Sequence, residues 1–264
     1  MQPPGWTIGP NLTFRLSIAV ATILVPRLVF GWTPETQISI ADQARMVAPP
    51  DLVRQLEKHK KRYRDGVLAP FSETDNSRHV KNGDGSGSLD TVIRNETARA
   101  IRAIVSHHPF EDVVYQLGVV AHYVADANNP LNSSQDDPGE PQYFVDYLRY
   151  VDTARDRFSV VFYGPPSGAE VDIDGMVLRA LDRGRKLYPL IGEEYRGVDP
   201  AEKGGFDDQS QAFGVAGVAY SHAISDIALT LRYIWLEAGG ADDRDLGSLP
   251  LPLETQGFSD PSRP

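Results

Sequence analysis

Three times the chain places a histidine four residues before an aspartate: His108 with Asp112, His122 with Asp126, and His222 with Asp226. On an α-helix that spacing puts an imidazole and a carboxylate on one face, as two ligands of one metal ion require. Context separates the three pairs. His108 precedes Pro109, so its ring belongs to a turn. His222 sits mid-helix with Tyr220, Ala223 and Ile224 around it, where a histidine is ordinarily a core residue satisfied by a neighbour. The stretch His122-Tyr123-Val124-Ala125-Asp126 runs into Asn129-Pro130, which ends its helix beside a polar loop where a pocket can open. The chain has no cysteine, so any metal is held by His, Asp, Glu or backbone groups.

The elements that must carry these residues are helical. Thr33-Pro34-Glu35 starts a helix whose apolar positions continue to Val47 before Pro49-Pro50 stop it. Asp51 caps a basic-rich helix to about Tyr63, and the glycines and Pro70 between residues 65 and 90 predict a loop. Helices are expected from Asp90 to Val105 and from Phe110 to Asp126, the second with a broad apolar stripe. The segment 128–142 reads as a loop, Tyr143 to Val161 as a helix, and Val171 to Leu190 as another. Lys203 to Ser210 reads as a loop and Ala212 to Glu237 as a long apolar helix. The expected class is all-α, one domain over residues 32–238. The Pro-, Gly-, Ser- and Asp-rich stretch 239–264 is expected to be a disordered tail.

The first 31 residues have the pattern of an export signal, with Arg15 before an apolar run from Leu16 to Val25 and Gly31 at a plausible cut. Export would make the protein secreted or periplasmic, with Trp32 as its first residue and no transmembrane span. The formal charge is −10, and removing Arg15 and Arg27 with the signal makes it −12. A chain this acidic has no general electrostatic footprint for nucleic acid, although a local basic groove is compatible with it.

At the level of motif order the chain resembles the zinc-dependent phospholipases C and single-strand-specific nucleases. The helix Val119-Val120-Ala121-His122-Tyr123-Val124-Ala125-Asp126, followed by Asn128-Asn129-Pro130-Leu131-Asn132, is similar to that family's ligand helix. Trp32, Lys58-His59-Lys60 with Asp65-Gly66, Arg78-His79-Val80, Tyr150 to Asp156, and Leu231 to Leu236 extend the resemblance over about residues 32–238. It implies an all-α phospholipase C/nuclease-type fold and a three-zinc cluster that activates water and clamps phosphate oxygens.

The carry-over of ligands is partial. His79, His122 and Asp126 match the first metal site. For its loop carboxylate Asp65 is the candidate, although the local pattern puts Ala69 or Phe71 at the usual position, with Asp75 as a local substitute. The second site falls on Asn132, Phe144 and Leu148, none of which binds zinc well. The third retains Trp32, through its backbone, and Asp126, but its histidine position is Gln37. The resemblance therefore implies one zinc ion rather than three. It also implies a weakly active phosphoric diester hydrolase on a phosphodiester or phospholipid-like small substrate. The alternative is a catalytically inactive scaffold that binds a phosphorylated ligand, a lipid headgroup or a protein partner. A further alternative for His79, His122 and Asp126 is a buried hydrogen-bonded group with no metal. Asp136, Asp137, Glu140 and Asp146 read as a solvated loop and helix start, and Lys58 to Arg64 as a solvated helix face.

Overall fold

A computed structural model describes residues 31–164, 171–197 and 206–241. Over these residues the chain is about 75% helix and contains no strand, so the all-α expectation holds. The export segment and the tail from residue 242 lie outside the described residues.

The first helix, α1 (Pro34–Met46), begins where its sequence demands. The Thr33 hydroxyl accepts the Thr36 amide at 3.1 Å, Pro34 occupies the first turn, and Glu35 lies beside the positive end of the helix dipole. The basic stretch forms two helices, α2 (Pro50–Lys58) and α3 (Lys60–Leu68), broken at His59. The expected loop from residue 65 is thus corrected: α3 continues through Gly66 to Leu68. Gly66 serves a close helix crossing there, not a turn. It meets Gly118 of α5 (Phe110–Ala127), and a Cβ on Gly66 would lie 2.0 Å from the Tyr115 carbonyl oxygen.

After α3 come 3-10 turns at Ala69–Ser72 and Asn76–His79, then α4 (Leu89–Val105). The helix α5 is the centre of the molecule, packed by α3, α4 and α8 (Gln211–Glu237) and touched by α1 and α7 (Ile173–Gly197). Every residue from Val120 to Ala127 is buried. This all-round burial makes the last two turns of α5 an interior structure, including their polar residues. The helix α6 (Glu140–Ala154) is shorter than expected at its C-terminus, where a 3-10 turn at Arg155–Arg157 leads into extended chain. It starts three residues earlier than expected, while α7 runs beyond the expected Leu190 with Pro189 inside it. By length and composition α8 is apolar enough to cross a membrane. However, 72% of its most apolar window is buried inside the protein, as in a core helix.

Candidate metal centre

The last two turns of α5 present His122 and Asp126 to His79, which arrives on the 3-10 turn Asn76–His79. That turn is fixed from both ends. The Asp75 carboxylate accepts the Ser77 amide at 3.1 Å, and Arg78 reaches Glu73 at 2.6 Å and the Tyr123 hydroxyl at 3.1 Å. Tyr123 in turn donates to Glu73 at 2.7 Å. The residue beside His122 on α5 thereby holds the loop that delivers His79.

The result is a closed cluster. His79 Nδ1 lies 2.7 Å from Asp126 Oδ2, His122 Nε2 lies 3.2 Å from the same oxygen, and the two nitrogens are 3.4 Å apart. The exposures of His79, His122 and Asp126 are 1%, 1% and 0%. His122 Nδ1 donates to the Val67 carbonyl at 2.8 Å, a bond made reachable by the Gly66–Gly118 crossing. A carbonyl only accepts, so in the neutral ring Nε2 is the bare nitrogen, with its lone pair turned to the cluster.

This donor set fits a metal ion. Two imidazole nitrogens and a carboxylate oxygen are ligand types of zinc, and the three donor atoms lie within 4.8 Å of one another. A tetrahedral ion with bonds of about 2.0–2.2 Å separates its donors by roughly 3.3–3.6 Å. Two of the three separations are near that range, and the third, 2.7 Å, is a hydrogen bond that a cation would replace. The cluster can therefore hold one metal ion, at the cost of the proton between His79 and Asp126.

Without a cation the same atoms form a charge pair. Burial alone would lower the His79 pKa, but the bond to Asp126 reverses this and raises it above the usual histidine value. Burial alone would raise the Asp126 carboxyl, but the neighbouring imidazoles of His122 and His79 hold it below the ordinary carboxylate range. The other oxygen of Asp126 accepts the Gln37 side-chain amide at 2.8 Å. Gln37 thus fills its expected place in the site as a hydrogen-bond donor. Its own Oε1 is buried without a hydrogen-bond partner, as is Asn132 Oδ1, while Asn132 Nδ2 donates to the Asp126 carbonyl at 3.2 Å.

The remaining expected residues divide clearly. Trp32 is against the site but through its side chain, a core indole that donates to the Ala125 carbonyl at 2.9 Å. Asp65 is not brought to the cluster. It lies inside α3, more than a third exposed, with Lys61 at 3.0 Å, because the helix continues where a loop was expected and turns Gly66 and Val67 toward α5. Asp75 caps the turn that carries His79 and is not itself part of the cluster. Phe71, which with Ala69 is where the resemblance expects a carboxylate, sets its ring perpendicular to that of His122, with centroids 4.9 Å apart.

The basic residues of α3 are largely ion-paired, Arg62 with Asp112 at 3.5 Å and Arg64 with Asp42. Asp137, Glu140 and Asp146 accept hydroxyl protons from Tyr143, Tyr188 and Tyr195. These acids tie the loop and α6 to each other and to α7 instead of rebuilding a cluster.

Of the other two His-x-x-x-Asp pairs, His107 and His108 form an exposed turn, with His107 in the left-handed region at φ 55°. The pair on α8 splits. His222 stacks on Tyr163 with ring centroids 3.9 Å apart, and burial pushes its pKa down to about 4. Asp226 is buried and pushed up to about 6, against the pull of Arg183 at 3.2 Å and Asn128 at 3.0 Å. Nothing in the sequence announces the Arg183–Asp226–Asn128 network, since its members lie 43 to 98 residues apart. Glu73, the anchor of the His79 turn, pairs with Arg78 five residues on, but its tie to Tyr123 spans 50 residues and no motif marks it.

No protein-family model matches the chain, and no curated protein matches it in sequence.

Proposed function

We propose that this protein is an exported scaffold of the phospholipase C/nuclease type, holding one zinc ion at His79, His122 and Asp126 and working by binding rather than by efficient hydrolysis. The observation that carries this reading is the closure of the cluster. A catalytic zinc keeps a coordination position open to water and substrate, whereas a structural site is shut. Here all three ligand residues are buried, and the Phe71 ring packs perpendicular to His122, at one of the two positions where the resemblance expects a carboxylate. The ion, when bound, would supply a fixed positive centre tying the loop at residues 76–79 to α5. The export pattern of the first 31 residues supports action in the periplasm or outside the cell. The ligand on this reading is a small phosphorylated or lipid-like molecule.

A second reading, a weak metal-dependent phosphoric diester hydrolase, is favoured by the ligand types themselves. Histidine and carboxylate ligands leave a zinc-bound water acidic enough to form hydroxide near neutral pH. Metal content of untagged protein, measured beside hydrolysis of bis(p-nitrophenyl) phosphate, separates the two. Near one zinc per chain, with turnover no greater than that of Asp126→Asn, is expected. Multiple turnovers abolished by Asp126→Asn would establish the hydrolase, and no metal at all would overturn both.

A further inference from the structure

A cleft of about 610 Å³ opens beside the cluster, between the start of α1, the turn at Phe71 and one face of α6. Its walls are Trp32, Phe71, Phe144, Val145 and Leu148, with Arg149 at the rim. The volume lies within the usual range for small-molecule sites, roughly 300–1,000 Å³, and such sites combine apolar walls with few polar groups. Trp32 and Phe144 are themselves buried, so the open apolar surface is that of Phe71 and Leu148, partly exposed, and of Val145, left 61% exposed.

The rim charges are unequal in their freedom. Asp152 is paired through one oxygen: its Oδ1 accepts the hydroxyls of Thr33 at 2.9 Å and Thr36 at 3.0 Å, and Arg155 pairs with the same oxygen. Arg149 is exposed and makes no ion pair with any described residue. The cleft therefore offers an incoming molecule apolar walls and one unspent cation.

We infer that this cleft binds an amphiphile with an aliphatic body and a single anionic head, the body against Phe71, Val145 and Leu148 and the head on Arg149. A guanidinium pairs with a carboxylate or phosphate through charge-assisted hydrogen bonds, often two at once. A cationic head would meet Arg149 with like charge, and a polar sugar would leave its hydroxyls unmatched on apolar walls. The inference rests on the scaffold reading only in taking the cleft as a place of binding rather than turnover, and it needs no metal.

Isothermal titration of the full chain with decanoate, 1-decanol and decyltrimethylammonium tests it, each with and without EDTA. One saturable decanoate site per chain is expected, about tenfold tighter than decanol and unchanged by EDTA. Arg149→Gln should remove that tenfold advantage and leave decanol binding as it was. Val145→Glu, on an exposed position that folding tolerates, should weaken decanoate more than decanol through like charge at the mouth. Absence of saturable decanoate binding overturns the inference, as does equal affinity for the ammonium amphiphile or an unaffected Arg149→Gln. If EDTA abolishes decanoate binding, the head is on a metal ion, which overturns the Arg149 assignment while supporting the metal centre. If decanoate fails and zinc is present, the cleft inference alone falls.

Discussion

Replacing Asp126 by asparagine keeps the shape of the side chain and removes its charge, so its consequences can be worked atom by atom. Gln37 donates to Oδ1 at 2.8 Å, which fixes that atom as an acceptor and leaves the new NH₂ at the Oδ2 position. There it faces His79 Nδ1 at 2.7 Å and His122 Nε2 at 3.2 Å. His122 Nε2, which is bare in the neutral ring because Nδ1 donates to Val67, can accept, and His79 can shed its proton, so neither imidazole need stay charged. The loss is one charge-assisted hydrogen bond, about 1.5–3 kcal/mol, rather than the roughly 3–5 kcal/mol of an orphaned buried charge. Metal should be lost outright, because an amide is a poor zinc ligand.

Thermal unfolding at pH 7 in EDTA and in zinc reads both effects. At zinc one hundred times the Kd, the wild type should gain about 2.7 kcal/mol. For a domain of this size that is a rise of roughly 5–10 °C in Tm. Asp126→Asn should start a few degrees lower in EDTA and gain nothing from zinc. Equal melting of the wild type in EDTA and zinc would refute the metal centre. A variant as stable as the wild type in EDTA would refute the charge pair.

The raised His79 pKa and the lowered Asp126 pKa give the metal-free cluster a pH window. The His79 contribution is complete below its unfolded value of about 6.5 and is lost as pH rises through the raised folded value; that of Asp126 is present above about 3.8 and lost as pH falls through the lowered one. In EDTA, the stability gap between wild type and Asp126→Asn, measured by urea unfolding, should therefore be larger at pH 5.5 than at 8.5. Zinc affinity should run the other way, rising with pH, and proton release on binding should appear as a buffer-dependent heat in titration calorimetry. Arg183→Met should cost about 3–5 kcal/mol in urea unfolding at pH 7.5, where Asp226 is left as an unpaired buried carboxylate. It should cost less at pH 5, because the Asp226 pKa of about 6 lets the folded state take up a proton there. Gly66→Ala places a Cβ 2.0 Å from the Tyr115 carbonyl, so α3 must back away from α5. We expect about 1–3 kcal/mol of destabilisation by overpacking, and weaker zinc binding as Val67 leaves His122, read by unfolding and metal titration.

Gly66 also shows where the sequence could be read and where it could not. Helix existence followed from periodicity and caps: Thr33-Pro34-Glu35 starts α1, and the apolar stripe of Phe110 to Ala127 marks the buried helix. By its sequence context Gly66 reads as a chain breaker, yet the same missing Cβ that favours a turn also permits two helices to touch, and a linear sequence does not distinguish these uses. That one ambiguity propagated into the site. With residue 65 in a loop, Asp65 was a plausible ligand; with residue 65 in α3, its side chain points to solvent and Lys61, and the backbone of Val67 becomes the group that orients His122. The trio itself was legible because its members keep recognisable spacing and residue types. Its closure was not, because Phe71, Gln37 and Glu73 act through contacts that only the packing of α1, α3 and α5 creates. The resemblance reads positions 37, 71, 132 and 144 as separate departures from a metal cluster. In the fold they are coordinated. Gln37 and Asn132 donate to Asp126, Phe71 packs perpendicular to His122, and Phe71 and Phe144 wall the cleft that carries Arg149. Two of these residues each give one hydrogen bond to Asp126 and keep an oxygen buried without a partner, and two build one apolar surface, so what surrounds the trio is packing and amide donors instead of further metal ligands.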